Sequence, residues 1–136
     1  MSEPHENAST VRQWIEKAEH DIRNAEHTLT LKKNCPLDTV CFHAQQCAEK
    51  YLKALLVSRS VDFPKTHDLR ILMQMVPKGV KLGLRMNEVL SLNRYTIEAR
   101  YPGDWEPITR KEAKEALAIA SKVRQAVRTY LPIKVE

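Results

Sequence analysis

The segment from Val40 to Leu55 limits the fold more than any other feature, because its apolar residues recur at steps of three and four. On a helix this spacing places six residues on one side: Val40, Ala44, Cys47, Ala48, Tyr51 and Leu55. Pro36 to Asp38 precede this stripe, and a loop begins after Ser58. The segment therefore predicts a long amphipathic helix that needs other helices to cover its apolar side.

A second stripe, this time polar, follows an adjacent side of the same helix. Steps of three, four and three residues align His43, Gln46, Lys50 and Lys53. An imidazole, an amide and two ammonium groups in one line could hold a phosphate or a nucleotide. The alternative interpretation is a solvated helix face, where lysine and glutamine are common.

Further helices are predicted from apolar periodicity and from residues that start or stop helices. Thr10-Val11-Arg12-Gln13 and Thr109-Arg110-Lys111-Glu112 have the form of capping boxes, and Thr66 is expected to cap a short helix. The predicted helices, besides the one described, cover residues 10–33, 66–76, 84–95 and 109–131. Met86, Val89 and Leu90 are expected to face inward in the fourth of the five helices.

These elements predict an all-α fold, an antiparallel up-and-down helical bundle of four to five helices. Its single domain is expected to span residues 10–131, with a flexible N-terminal tail at 1–9 and a C-terminal tail at 132–136. A chain of 136 residues that uses glycine only 3 times suits one domain of packed helices.

Composition also limits the function. No apolar run approaches the roughly 20 residues that cross a bilayer, and the start of the chain is polar, so we expect a cytoplasmic protein without a membrane partner. The three cysteines show no Cys-x-x-Cys spacing, and we expect neither a metal nor a cofactor. The net charge of +5 is spread among acidic residues, which favours a local anion pocket over a duplex-DNA surface.

A second polar cluster occupies the junction after the fourth predicted helix. Arg94, Tyr95, Glu98, Arg100 and Tyr101 lie within eight positions of one another. Guanidinium groups bind phosphate oxygens in pairs, and a tyrosine ring can stack on a base. The alternative is a structural junction in which Glu98 pairs with a neighbouring arginine.

His67 opens the short third helix, where its ring could contact a ligand or fasten the preceding loop. The fastening role is the commoner one for a histidine at such a position.

Three motifs together, at residues 42–56, 66–69 and 100–102, resemble the HEPN domain family in residue pattern and in order along the chain. The resemblance extends over residues 10–131. It implies an antiparallel helical bundle that forms a homodimer and works in a two-component system with a minimal nucleotidyltransferase. Members of this family are described as nucleotide-binding or, in many cases, as metal-independent endoribonuclease toxins.

The nuclease members share an arginine, four to six intervening residues and a histidine, and one subgroup adds a tyrosine that the partner can modify with AMP. On this chain Arg94 takes the arginine position and Tyr101 the tyrosine position, but Ala99 stands where the histidine is expected. Arg59 and His67 are separated by seven residues, one too many. Without an imidazole at position 99, the group expected to move the proton of a ribose 2′-hydroxyl is missing, so we lean against an enzyme.

Three hypotheses follow from the resemblance. The first is a nucleotide- or RNA-binding subunit, with ligand contacts expected from His43, Gln46, Lys50, Lys53, His67, Arg94, Arg100 and Tyr101. The second is a toxin-type endoribonuclease, whose candidate catalytic residues are Arg94, His67 and Arg100. The third is a non-catalytic dimer that docks the nucleotidyltransferase.

Overall fold

A computed structural model describes residues 4–96 and 107–131 of the chain, and this part is all-α, as predicted, with no strand. Five α-helices and one 3-10 helix occur in the order α1 (Pro4–Leu29), α2 (Leu37–Ser58), α3 (Leu69–Met75), α4 (Met86–Leu90), the 3-10 helix (Ser91–Tyr95) and α5 (Arg110–Thr129). Within these ranges, no helix has the length and apolar character that crossing a membrane requires.

Helix α2 lies at the centre of the bundle, between α1 and α5. Thirteen of its 22 residues are buried, including the whole apolar stripe predicted from the sequence. The neighbours cover it mainly with small or β-branched residues: Val11, Ile15, Ala18, Ile22 and Ala25 of α1, and Ala113, Ala116, Ala120, Val123 and Val127 of α5. Small side chains let the helix axes approach closely, which is why the three helices share one core.

The first helix begins earlier than expected. We predicted a start at Thr10, whereas α1 begins at Pro4 and runs through the Thr10–Gln13 box without interruption. Proline suits the first helical turn, where its missing N–H has no intrahelical partner to lose. The Asn7 side chain donates a hydrogen bond to Ser60 Oγ at 3.1 Å, so a long-range contact supports this additional turn.

The region of the third and fourth helices differs from the prediction in three details. Asp68, not Thr66, caps α3: its Oδ1 accepts from the Arg70 backbone N–H at 2.9 Å. The expected fourth helix is divided into α4 and the tighter 3-10 helix. Val89 is buried as expected, but Met86 is 37% exposed because it occupies the first position of α4, at the edge of the core.

Helix α5 has the predicted cap. Thr109 Oγ1 accepts from the Glu112 backbone N–H at 3.0 Å. The next residue, Arg110, donates to the carbonyls of Leu29 at 2.8 Å and Leu31 at 2.7 Å, which are left over at the end of α1. The first residue of α5 thereby donates hydrogen bonds to the carbonyl groups at the end of α1.

Candidate functional site

The polar stripe of α2 does not form an open line of cations. His43 Nδ1 lies 2.7 Å from Asp21 Oδ1, and Lys50 Nζ donates to Asp21 Oδ2 at 2.6 Å. Asp21 belongs to α1 and is only 7% exposed. Both stripe residues are therefore directed towards a carboxylate of the neighbouring helix, which offsets much of the positive charge of Lys50 locally.

Lys53, the last residue of the polar stripe, is bound to a different carboxylate. Lys53 Nζ donates to Glu49 Oε2 at 2.8 Å, and Lys53 as a whole is 6% exposed. Its ammonium group also lies 5.3 Å from the ring centre of Trp14 and 5.9 Å from that of Phe63. A lysine enclosed in this way is neither on a solvated face nor directed at an external ligand.

Glu49 is the centre of a compact cluster that also holds His67. The Nδ1 atom of His67 lies 3.0 and 3.1 Å from the two oxygens of Glu49, and Gln45 Nε2 donates to Glu49 at 3.0 Å. The Gln46 amide in turn donates to Gln45 Oε1 at 2.6 Å. Glu49 is 2% exposed, whereas the His67 side chain is 50% exposed. His67 therefore fastens the loop before α3 and still presents part of its ring to solvent.

Two hydrogen bonds clamp the residue after His67 to the residue before Arg94. Asn93 Nδ2 donates to Asp68 Oδ1, and Asn93 Oδ1 accepts from the Leu69 backbone N–H, both at 2.9 Å. We call this pair of bonds the Asp68–Asn93 clamp. Because neighbouring Cα atoms are about 3.8 Å apart, the clamp brings the backbones that carry His67 and Arg94 close together.

Arg94 lies at the surface of the 3-10 helix. Its side chain is 59% exposed, its guanidinium carbon lies 5.4 Å from the Tyr95 ring centre, and Nη1 is 3.3 Å from Glu112 Oε2. The Tyr95 hydroxyl donates to the same oxygen at 2.5 Å, and burial, followed by this bond, raises the pKa of Tyr95. Tyr95 thus stays a neutral support for the guanidinium.

Several predicted site residues lie outside the part of the chain that the structure describes. They are Glu98, Ala99, Arg100 and Tyr101. Of the remaining candidates, the structure brings the segments of His67 and Arg94 together through the clamp. It gives His43, Lys50 and Lys53 acidic partners within the bundle.

The sequence analysis missed one partly buried ionic network. Arg124 of α5 donates to both oxygens of Glu19, from Nε at 2.6 Å and Nη2 at 2.9 Å, and the Tyr51 hydroxyl donates to Glu19 at 2.5 Å. The hydrogen bonds from Arg124 are the main cause that lowers the pKa of Glu19. A signal was present: Tyr51 is in the apolar stripe of α2, and a buried tyrosine hydroxyl needs a partner.

Two further observations limit the kinds of ligand that the described residues could bind. Among the described residues, no group of three histidine, cysteine, aspartate or glutamate side chains could hold a metal ion. A cleft of about 670 Å³ is lined by Asn7, Thr10, Val57, Ser60, Val61, Asp62 and Phe63. This described lining contains a carboxylate and no cationic side chain, so the cleft does not suit a phosphate.

The fold and the arrangement of these motifs are those of the HEPN domain. A family model described as "HEPN domain" matches residues 11–130, and the chain belongs to this family. A protein of Methanocaldococcus jannaschii named "Putative toxin MJ1304" is 29% identical over 94% of this chain and 92% of its own length.

Two solved structures share the fold. TT1696 from Thermus thermophilus is 32% identical, with a TM-score of 0.73, over 89% of this chain and 98% of that one. ST0689, titled an archaeal HEPN homologue, is 24% identical with a TM-score of 0.69, over 88% of this chain and 96% of its own. The resemblance inferred from short motifs is thereby confirmed at the level of family and fold.

The spacing of arginine and histidine separates this chain from the nuclease pattern. Its five histidines are at positions 5, 20, 27, 43 and 67, and none has an arginine five to seven positions before it. The pattern of an arginine, four to six residues and a histidine is therefore absent from the whole sequence, and not only from the segment after Arg94.

Proposed function

We propose that this chain is the ligand-binding HEPN subunit of a two-component system, and that it holds the phosphate of a nucleotide or of single-stranded RNA between His67 and Arg94. The observation that carries the proposal is the Asp68–Asn93 clamp, which joins the two segments whose imidazole and guanidinium are half exposed. A phosphate at this surface would meet a hydrogen-bonding ring and a fixed positive charge.

The carboxylate partners of these cations favour Arg94 over the lysines of α2 as the residue that binds phosphate. Lys53 is enclosed and bound to Glu49, and Lys50 is held by Asp21, so releasing either would leave a buried carboxylate without its cation. Arg94 is bound to Glu112 in an exposed setting, where an ion pair is worth about 1 kcal/mol or less. A guanidinium with five donors can engage phosphate and keep one bond to Glu112.

The partners proposed from the family are a second copy of this chain and a minimal nucleotidyltransferase. A toxin-type role is supported by the name of the Methanocaldococcus jannaschii relative. The missing arginine–histidine spacing argues against the usual nuclease arrangement of the family in this chain. These points favour a binding subunit whose ligand site includes Arg94.

A thermal-shift titration with ATP, AMP and a short single-stranded RNA tests the binding proposal. A ligand that binds only the folded state raises the Tm in a saturable manner. We expect at least one of the three to do so, and the Arg94→Ala variant to lose most of the shift. Arg85→Ala is a matched control, because Arg85 is also an exposed arginine, 81% exposed, and pairs with Glu88 at 3.2 Å.

Two results would contradict the proposal: no shift with any of the three ligands, or the same loss of shift in Arg85→Ala as in Arg94→Ala.

The partners are tested separately. Light scattering of the purified chain should give twice the mass of 15.7 kDa, and co-expression with a nucleotidyltransferase encoded beside it should yield a stable complex. A monomer that captures no nucleotidyltransferase would remove that part of the proposal.

A further inference from the structure

The cleft of about 670 Å³ lies where the first turns of α1 meet the end of α2 and the loop after it. Asn7 and Thr10 come from α1, Val57 comes from α2, and residues 60–63 belong to the loop. Sites for small molecules usually have volumes of about 300–1,000 Å³. The lining includes neither His67 nor Arg94, so a ligand in this cleft is separate from the one proposed above.

The backbone beside the cleft is held by a turn that ends α2. The Val61 N–H donates to the Leu56 carbonyl at 2.9 Å, and the Ser60 N–H donates to the Val57 carbonyl at 3.0 Å. These two bonds form a Schellman motif, in which the residue with the left-handed backbone is usually glycine. Here it is Ser60, with a φ of 56°. Its hydroxyl accepts from Asn7 Nδ2 at 3.1 Å, so the cleft is already held between α1 and the loop without a ligand.

The polar groups that remain for a ligand are mainly acceptors. Asn7 uses its amide hydrogen on Ser60, which leaves its Oδ1 atom as an acceptor. Among the described residues, the Thr10 hydroxyl has no hydrogen-bond partner, and the Asp62 carboxylate has neither a hydrogen-bond nor an ionic partner. A carboxylate, an amide oxygen and two hydroxyls suit a ligand that donates hydrogen bonds and carries a positive charge.

Arg59, which directly precedes Ser60, does not supply that charge. Its Nη2 atom donates to the Tyr130 carbonyl at 3.3 Å, and its guanidinium carbon lies 5.9 Å from the Tyr130 ring centre. The guanidinium is therefore directed towards the end of α5. Asp62 is the one charged side chain in the described lining of the cleft.

The apolar part of the lining consists of three side chains that are partly buried against the core: Val57, Val61 and Phe63. The ring of Phe63 also packs near Trp14, with ring centres 6.3 Å apart, which limits its movement. Lys53 approaches the same ring, but it is 6% exposed and bound to Glu49, so its charge is offset inside the bundle. An aliphatic chain can bury its methylene groups on this apolar part.

We propose that this cleft binds a small primary alkylamine, with the ammonium group on the Asp62 carboxylate and the aliphatic chain on Val57, Val61 and Phe63. An ammonium group has three donors, so one bound to Asp62 can also donate to a neighbouring oxygen of the lining. Because the described lining holds one carboxylate, the ligand is a monoamine and not a polyamine. This binding site goes beyond the proposed function and does not depend on it.

A chemical-shift titration of the ¹⁵N-labelled full chain with hexylamine at pH 7 tests the site. Its amino group is protonated there, as that of lysine is. We expect saturable shifts of the amide signals of Ser60, Val61 and Asp62. Hexan-1-ol has a similar chain without the charge, and hexanoate has the opposite charge, so both should bind about threefold more weakly or worse. Ethylamine keeps the charge but loses four methylene groups, and should bind about tenfold more weakly or worse.

Two variants of the cleft separate the two parts of the interaction. Asp62→Asn keeps the shape of an exposed side chain and should weaken hexylamine binding about threefold to fivefold, as expected for an exposed ion pair, while hexan-1-ol binding stays the same. Val61→Thr should weaken the binding of both compounds, because it removes apolar surface. Glu16→Gln is the control, since Glu16 is an exposed carboxylate of α1 outside the lining, and it should bind hexylamine as the unaltered chain does.

Three results would overturn this site: no saturable shift with hexylamine, equal binding of hexylamine, hexan-1-ol and hexanoate, or undiminished hexylamine binding in Asp62→Asn. Arg94→Ala should leave hexylamine binding unchanged, because Arg94 is outside the lining. Failure of the amine site therefore leaves the proposed phosphate site intact, and failure of the phosphate site leaves the amine site intact.

Discussion

At the scale of single residues, the ion pair between Glu19 and Arg124 makes the stability of the fold depend on pH. Arg124 lowers the pKa of Glu19 below its ordinary value of 4.5, so this pairing stabilises the folded state above that pH. The contribution is lost as the pH falls through the lowered pKa, because the carboxyl then takes up a proton. We expect the free energy of unfolding to decline on acidification below about pH 4.5 less steeply in Glu19→Gln than in the unaltered chain.

Urea titrations at a series of pH values measure this difference. Arg124→Met should lower the free energy of unfolding at neutral pH by about 1–3 kcal/mol, because Glu19, 9% exposed, keeps its charge but loses both hydrogen bonds from Arg124. Lys122→Met is the control, because its bond to Glu88 joins exposed side chains of which Lys122 is 61% accessible. Equal losses in the two variants would contradict the distinction drawn between a buried pair and a surface pair.

At the scale of helices, the Asp68–Asn93 clamp joins α3 to the 3-10 helix. Asn93→Ala removes the acceptor of the buried Leu69 N–H and one donor to Asp68, which should lower the free energy of unfolding by about 1–3 kcal/mol. Hydrogen exchange of the Leu69 amide should become faster. Asn87→Ala, an exposed position on α4, should change neither quantity, and an unaltered Leu69 amide in Asn93→Ala would show that the clamp does not hold α3.

The same clamp shows what the sequence could and could not predict. Helices α2 and α5 were predicted well because their limits depend on nearby residues: Pro36 before α2 and Thr109 at the cap of α5. The cap of α3 was misplaced by two residues, because Asp68 is also held by Asn93, 25 positions away. Thr66 has the right side chain, but only a long-range contact decides between the two.

The polar stripe of α2 shows the same limit for the site. Spacing correctly placed His43, Lys50 and Lys53 on one region of the helix, but their carboxylate partners decide where each side chain points. Asp21 comes from α1, 22 and 29 positions away from the two residues that it binds. Glu49 is nearer, yet nothing in the spacing shows that the loop before α3 covers it. Helical periodicity predicts which face of a helix a residue lies on. Which residues of other elements cover that face depends on tertiary contacts, which periodicity does not show.

At the scale of the whole molecule, the net charge of +5 does not by itself predict how many cations contact RNA. At least six lysine and arginine side chains in the described residues pair with a carboxylate: Lys50, Lys53, Arg85, Arg94, Lys122 and Arg124. Only cations that contact phosphates release counterions, and each such contact to a single strand contributes about −0.7 to the slope of log K against log salt. A local site around Arg94 should engage about two or three phosphates, which predicts a slope between about −1.4 and −2.1.

Fluorescence anisotropy of a labelled single-stranded RNA, titrated at several KCl concentrations, measures that slope. Arg94→Ala should weaken binding and make the slope shallower by about 0.7, because one phosphate contact is lost, whereas Arg85→Ala should leave it unchanged. A slope of about −4 or steeper would require about six phosphate contacts. Contacts of that number would need a second protomer or a basic surface beyond the site at His67 and Arg94.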